Sequence, residues 1–311
     1  SGSSELRREV PAALALLLDV AKKEVRALPV GRTNADLVLA AAGHTFVIET
    51  SAAVAAGTLS DRAKQAVALA QRQRPRAIPV VVVPYMPRSG RAVCQAAGAS
   101  WFDLSGNAHI VAPGIRIIVA GQPDRFRRPG RPSSAFAPKS ARVVRWLLIH
   151  PERAFSQREI AHGTKMTEGF VSRIVTRLEA ERYVARDPGG KIRPRDPQLL
   201  LDAWADEYRF DRHTMIQGHV AARTGEALTR FVGDALAGAA DEHAATGLSA
   251  AWQLTAFATF RTATFYLDSM PTAKLLEKIS FREGASGANL WLVVPNDAGV
   301  FQAAEVCKGV R

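Results

Sequence analysis

The chain has 311 residues, of which 47% are hydrophobic and 23% charged, so it can bury two or three packed cores. No apolar run is long enough to cross a bilayer, and the two cysteines, Cys94 and Cys307, exclude a disulfide framework. The opening Ser1-Gly2-Ser3-Ser4 has the composition of a cloning remnant and not of a secretory signal. We therefore expect a cytoplasmic protein with no membrane partner.

The formal net charge of +12 is concentrated in one part of the chain. Between Arg125 and Arg195 there are 17 Lys/Arg and 6 Asp/Glu, a surplus of 11. Positive charge that is concentrated in one segment can neutralise several neighbouring phosphates and release their counterions. The same charge spread over the whole chain does so poorly. The segment therefore predicts contact with nucleic acid.

Residues 5–121 predict an α/β domain, because strand-like and helix-like segments alternate along them. Residues 5–28 have helical spacing, with Leu14, Leu17, Leu18 and Val25 on one side. A hairpin follows over residues 36–49, with its turn at Gly43-His44. The remaining predicted elements are helices at 59–73 and 89–98 and strands at 78–83, 101–104 and 115–119.

Residues 122–139 are rich in proline, glycine and arginine, which is typical of a linker. Two interpretations of its arginines stay open: they follow a phosphate backbone, or they keep a tether solvated.

Residues 140–197 predict a winged helix-turn-helix. Helices at 141–149 and 156–161 precede a third helix, which Thr167 caps and which runs to Ala180. Within the third helix, Val171, Ile174 and Leu178 recur at core spacing. Strands at 183–186 and 191–193, joined by Asp187-Pro188-Gly189-Gly190, form the wing.

The opposite side of the third helix is small, polar and cationic, and such a side suits the major groove of DNA. The wing adds cations that can reach phosphates or the minor groove. The candidate DNA-binding residues are Thr167, Gly169, Ser172, Arg173, Thr176, Arg177, Arg186, Lys191 and Arg193.

The run F-S-Q-R-E-I-A, followed by T-E-G-F-V-S-R-I-V-T-R-L-E and R-Y-V, resembles bacterial winged-helix transcription regulators. The resemblance implies sequence-specific binding to double-stranded DNA, as a repressor, and a homodimer as a further partner. The competing interpretation is a winged helix used as a protein–protein module, which the concentrated positive charge disfavours.

Asp36 before one strand and Glu49 near the end of the next resemble the PD-(D/E)xK nuclease core, in which an Asp and a Glu hold Mg²⁺ and a lysine follows. Here Ser51 occupies the lysine position, and Ala35 replaces the proline. Three explanations stay open: a degenerate scaffold, a cation supplied by Lys64 or Arg62 from the next helix, or an accidental match. The first predicts no enzyme; the second predicts a Mg²⁺-dependent endonuclease using Asp36, Glu49 and Lys64.

Residues 97–108, which contain Asp-Leu-Ser-Gly-Asn at 103–107, resemble a segment of proteins related to the AbiEi antitoxins of type IV toxin–antitoxin systems. Those proteins are autorepressors, with the winged helix at the N-terminus and not in the centre as here. Asp103 and Asn107 are either site residues or parts of a turn, and the turn is the favoured interpretation.

Residues 198–311 predict a third, α/β domain, which resembles the C-terminal domain of AbiEi-like proteins. We expect a helical stretch over 198–240, a helix from Gly247, strands at 264–267 and 290–294, and a helix at 274–279. The histidines are scattered, and the phosphate-binding glycine loops are missing, so we expect no metal and no cofactor. A protein partner bound through this domain, as in an antitoxin, stays open, as does continuation of the native chain beyond Arg311.

The fold class predicted from the sequence is thus α/β plus winged helix: a nuclease-like α/β N-terminal domain, a central winged helix-turn-helix and a C-terminal α/β domain.

Overall fold

A computed structural model describes residues 2–30, 34–73, 76–126, 134–239, 242–307 and 310. The chain divides into two compact units. The first comprises residues 1–133, 154–156 and 172–206, and the second comprises 134–153, 157–171 and 207–311. The domain bounds proposed from the sequence stay predictions, and residues 127–133 of the proposed linker lie outside the described residues.

The described part of the first unit contains a seven-stranded sheet in sequential order. Its central strands β3, β4 and β5 are parallel, and the outer pairs are antiparallel. The strands are β1 (Arg26–Ala27), β2 (Leu37–Ala41), β3 (His44–Thr50), β4 (Ile78–Val83), β5 (Ser100–Asp103), β6 (Ala108–Ala112) and β7 (Ile115–Val119).

Helices cover both faces of this sheet, as buried parallel strands require. The helix α1 (Gly2–Leu18) packs Leu6, Val10 and Leu14 against one face. The helices α2 (Ala56–Gln71) and α3 (Arg88–Ala96) connect the parallel strands and pack on the other face, where Leu59 and Ala63 lie in one apolar cluster with Val81 and Val83.

The predicted hairpin and the predicted buried strand at 78–83 are confirmed. The single helix predicted over residues 5–28 is wrong. The helix α1 ends at Leu18, Asp19 adopts a left-handed φ of 53°, and Arg26–Ala27 pair with β2 instead. The strand β6 was not predicted, because its five residues include His109 and two alanines and lack a sustained alternation of apolar side chains.

The second unit contains, among its described residues, a five-stranded sheet in the order β11-β12-β14-β10-β13. These strands are β10 (Thr214–His219), β11 (His243–Thr246), β12 (Ala263–Leu267), β13 (Arg282–Glu283) and β14 (Leu290–Val294). Its helices are α8 (Gly225–Ala237), α9 (Gly247–Thr255) and α10 (Ala273–Lys278). Helices α8 and α10 share one apolar cluster with β12 and β14.

The helical stretch predicted over 198–240 is wrong in its middle. A helix α7 (Pro197–Glu207) ends early, and residues 214–219 form β10, which pairs with β14 on one side and β13 on the other, before α8 begins. Backbone pairing with β14 and β13 selects a strand there, although the local sequence does not mark one.

The elements of the predicted winged helix are present. They are α4 (Ala141–Ile149), α5 (Gln157–Thr164), α6 (Glu168–Ala180), β8 (Val184–Arg186) and β9 (Ile192–Pro194). The boundary between the two units passes through α6, between Val171 and Ser172. None of the helices in the described ranges is both long and apolar enough to cross a membrane.

Candidate nucleic-acid interface

Helix α6 is buried on one side and open on the other. Val171, Ile174 and Leu178 are buried, as their spacing predicts. Gly169, Arg173 and Thr176 are exposed, Ser172 and Arg177 are half-buried, and Thr167 is exposed directly before the helix. The predicted polar and cationic side therefore faces away from the buried core.

Gly169 leaves one position on this polar side of α6 without a side chain. A Cβ built at Gly169 would meet no heavy atom within 4 Å, so packing inside the protein does not require glycine there. The bare backbone instead allows a close approach from outside.

Two of the predicted DNA-binding arginines are held by carboxylates. Arg177 Nε donates to Glu181 Oε1 at 2.9 Å, one turn further along α6. Arg186 on the wing donates to both carboxylate oxygens of Glu179, at 2.8 and 3.1 Å. Half-exposed ion pairs of this kind contribute about 0.2–1 kcal/mol, so a phosphate can replace the carboxylate at small cost.

The wing presents the other two predicted cations without such partners. Its turn is closed by Lys191 N, which donates to Asp187 Oδ1 at 2.9 Å, and Gly190 has the positive φ of 78° that the turn requires. Lys191 and Arg193 are exposed, and within the described residues their side chains form no hydrogen bond or ion pair. Phe155 forms a bridge to Ile192 and so anchors the base of the wing.

Sequence reasoning missed Lys165, which lies in the turn between α5 and α6. It is exposed, it has a left-handed φ of 53°, and its ammonium has no partner among the described residues. Its position just before α6 could have marked it as a candidate DNA-binding residue. In a winged helix the third helix is the recognition helix, and the turn before it enters the groove together with the start of that helix.

The two carboxylates of the nuclease-like motif do lie close together at one end of the sheet. Asp36 Oδ2 accepts hydrogen bonds from the backbone N and the Oγ1 of Thr50, both at 2.8 Å, and Asp36 also forms an ion pair with Arg7. Asp36 is therefore held by three donors from the protein itself.

Glu49 is fully buried beneath α2, where Arg62 Nη1 donates to its Oε2 at 2.8 Å. Burial, and then the nearby charge of Asp36, raise the pKa of Glu49 above its ordinary value, although Arg62 opposes the shift. Its second oxygen, Oε1, is buried and has no hydrogen-bond partner among the residues that the structure describes.

Position 51, where the nuclease motif has its lysine, supplies no cation. Ser51 is buried, and its hydroxyl donates to the carbonyl of Ala53 at 2.7 Å. Residues two apart on a helix point about 200° from each other, so when Arg62 faces Glu49, Lys64 faces away, and it is exposed. Across the described residues, no three His, Cys, Asp or Glu side chains come together in a way that could hold a metal ion.

Asp103 and Asn107 form a closed turn. Asp103 accepts from the backbone N of Asn107 at 2.9 Å, from its side-chain amide at 3.0 Å and from Met86 N at 3.0 Å. Asn107 in turn exchanges hydrogen bonds with the backbone of Gln122. Both side chains are buried and paired, which favours the turn interpretation over a site.

The sequence did not predict a half-buried polar cluster in the second unit. Tyr208 Oη lies 2.8 Å from both His213 Nε2 and Tyr266 Oη, and Asn296 N donates to His213 Nδ1 at 3.1 Å. Burial lowers the pKa of His213. Next along the chain from Asn296, Asp297 accepts two hydrogen bonds from Arg142 of α4, at 2.7 and 2.9 Å. The Arg142–Asp297 pair therefore links the segment after β14 to α4, the first helix of the winged helix.

Together, the three helices, the wing and the cationic side of α6 define a winged-helix DNA-binding domain. Residues 136–191 match the MarR family, and the match ends at the tip of the wing. The chain thus contains the DNA-binding domain of a transcription regulator. No curated protein and no solved structure matches the chain.

The exposure of Arg173 and Lys191 predicts two different losses. Arg173→Ala removes a guanidinium near the start of α6, so it should cost about 1–3 kcal/mol on the cognate site and relax the preference at one base pair. Lys191→Ala removes a wing cation, so it should weaken cognate and unrelated DNA alike. Anisotropy titrations against both DNAs measure the difference, and equal losses on both DNAs from both variants would contradict the assignment.

Proposed function

We propose that the protein is a sequence-specific, double-stranded DNA-binding transcriptional regulator that acts in the cytoplasm. The observation that carries the proposal is the exposed, cationic side of α6 within the residues that match the MarR family. Its polar and cationic residues suit base edges, while Lys191 and Arg193 suit phosphates.

Repression is the outcome that this architecture supports most simply. A protein that occupies a promoter blocks access by its presence alone, whereas activation requires a further surface that contacts the polymerase. Residues 196–311 have 10 Lys/Arg against 14 Asp/Glu, which disfavours a second DNA contact there and leaves DNA binding to the winged helix.

The charge of the interface predicts a steep salt dependence. With about five to eight phosphates neutralised, the logarithm of the association constant should fall against the logarithm of salt with a slope of about −5 to −7. The measurement uses a site selected from random DNA and titrated from about 50 to about 200 mM KCl. A flat response would contradict DNA binding through this surface.

We propose further that the N-terminal unit has no nuclease activity. The support is the pairing of Glu49 with Arg62, which places a fixed guanidinium on an oxygen that a metal would need. Ser51 brings no cation to the phosphate, and losing such a group commonly costs several kcal/mol of barrier. The endonuclease alternative depends on Lys64, which lies on the exposed side of α2.

Supercoiled and cognate linear DNA should therefore remain intact with Mg²⁺ or Mn²⁺ present. The matched controls are Glu49→Ala, which removes the buried carboxylate, and Lys64→Ala, which leaves the Glu49–Arg62 pair in place. Cleavage by the parent protein that Glu49→Ala abolishes would establish the enzyme and overturn this proposal.

The C-terminal unit carries the feature that favours a homodimer. Helix α9 buries the polar Ser249 and Gln253, and it exposes Leu248 and Leu254 by 65% and 76%. Phe257, directly after the helix, is 92% exposed. A helix with its apolar residues outward needs a protein partner. A second copy fits best, because MarR proteins that bind DNA are typically dimeric and a two-fold protein matches a palindromic site.

Replacing Leu254 and Phe257 together by Asp should turn a dimer into a monomer, as measured by sedimentation or light scattering. Leu16→Asp, an equally exposed leucine on α1 at 83%, is the control and should stay dimeric. A parent protein that is monomeric at micromolar concentration would contradict the homodimer and favour a different protein on this surface, as in the antitoxin alternative.

A further inference from the structure

A crevice of about 320 Å³ lies beside α2 in the first unit, and we call it the α2 crevice. Its lining residues are Thr58, Asp61, Arg62, Gln65 and Arg182. The first four have the i, i+3, i+4, i+7 spacing of one helical face. Arg182 lies just after α6 and just before the wing, in a segment of residues 181–183 that we call the joint. The crevice therefore has one wall on α2 and one on the joint.

The lining offers hydrogen-bond donors that the protein does not use. Within the described residues, the guanidinium of Arg182 and the side chains of Thr58 and Gln65 form no hydrogen bond or ion pair. Arg62 uses Nη1 for Glu49, and its other nitrogens have no partner among those residues. The single lining carboxylate, Asp61, is already paired with Arg195 at 3.0 and 3.1 Å.

The end of α6 fixes the conformation of Arg182. Its φ is +65°, at the position after a helix where glycine is normally favoured because a Cβ is strained there. Hydrogen bonds from Arg182 N to Glu179 O at 3.0 Å and from Tyr183 N to Leu178 O at 2.9 Å hold this helix end. They place Arg182 beside the crevice without using its guanidinium, which has no partner among the described residues.

We infer that the α2 crevice binds the phosphate or carboxylate group of a small, metabolite-sized anion between the guanidiniums of Arg62 and Arg182. Its volume falls in the range of small-molecule sites. Planar guanidiniums bind oxyanions with paired, charge-assisted hydrogen bonds, and Thr58 and Gln65 add neutral donors.

The α2 crevice lies where α2 is fastened to the joint. Tyr183 Oη accepts a hydrogen bond from Ala56 N, the first residue of α2, at 3.0 Å. A Cβ at Gly57 would stand 2.5 and 2.7 Å from the carbonyl oxygens of Glu181 and Arg182, so the two backbones are in close contact. An anion that touches both walls favours one position of the joint over others. Because the joint connects α6 to the wing, its position affects both.

Occupancy of the crevice therefore changes DNA affinity. This part of the inference rests on the proposed DNA-binding function, whereas anion binding itself does not.

The first experiment measures anion binding without DNA. The full chain is titrated with inorganic phosphate and with succinate by calorimetry, in a chloride buffer, which shows which oxyanion the crevice prefers. We expect saturable binding of one anion per chain, weakened at least about tenfold by Arg182→Gly. Glycine suits a φ of +65°, so this variant removes the guanidinium while relaxing the backbone. Lys64→Ala removes one charge from the outer side of α2 and should bind as the parent does.

Arg62 is left unaltered in this test, because its loss would leave the buried carboxylate of Glu49 without its partner. Thr58→Val serves as the second lining variant and should weaken binding by less than Arg182→Gly does. Non-saturable binding by the parent, or equal binding by the parent and Arg182→Gly, overturns the inference.

The second experiment compares DNA affinity in phosphate and in chloride at equal ionic strength. We expect at least about a threefold difference for the parent and none for Arg182→Gly. If Arg182→Gly weakens DNA binding in chloride alone while phosphate fails to bind the parent, the crevice takes a DNA phosphate and the small-anion site is refuted. Saturable anion binding by a protein that fails to bind DNA would instead sustain the site and refute the proposed function.

Discussion

Helix α2 packs against two surfaces at once, and both the sheet and the end of the recognition helix depend on how it does so. Its sheet side is built from Leu59 and from small residues such as Ala63, which let the helix lie close to Val81 and Val83. Its other side meets the joint through Gly57 and the Asp61–Arg195 pair. Close packing on both sides leaves little freedom, because protein interiors transmit a displacement rather than absorb it. Whatever shifts α2 against its sheet is therefore felt where α6 ends and the wing begins.

The close packing of α2 on the sheet also explains why Glu49, one of the nuclease-like carboxylates, is paired inside the protein. Glu49 points from the sheet toward α2, so its charge is buried and needs a cation from that helix. Arg62 is the residue whose helical position faces it, and the pair forms at 2.8 Å. An uncompensated buried carboxylate would cost several kcal/mol, so the guanidinium is required for stability once α2 is in place. A residue that looks catalytic by its spacing thereby becomes part of the packing between a helix and a sheet.

Local ion pairs also separate the cations of the winged helix into two groups, those bound to carboxylates and those exposed to solvent. Arg177 and Arg186 meet carboxylates at the C-terminal end of α6, while Arg173, Lys165, Lys191 and Arg193 lie exposed around its start and on the wing. Glu179 and Glu181 thus lie where α6 meets the wing, whereas Lys191 and Arg193 on the wing form no ion pair among the described residues. These two cations are open to phosphates, while Arg177 and Arg186 must first leave their carboxylates.

The sequence by itself determined the elements whose pattern is strong and local. The spacing of Val171, Ile174 and Leu178 predicted the buried side of α6, and the four consecutive valines at 80–83 predicted a buried strand. The Asp-Pro-Gly-Gly turn predicted the wing. Tertiary structure decided the rest: Arg26–Ala27 and residues 214–219 become strands because neighbouring strands accept them, although their own residues do not mark them as strands. It also decided that Arg62 and not Lys64 reaches Glu49, and that Arg182 faces α2, because such contacts depend on how a helix lies against its neighbours, which no spacing along the chain encodes.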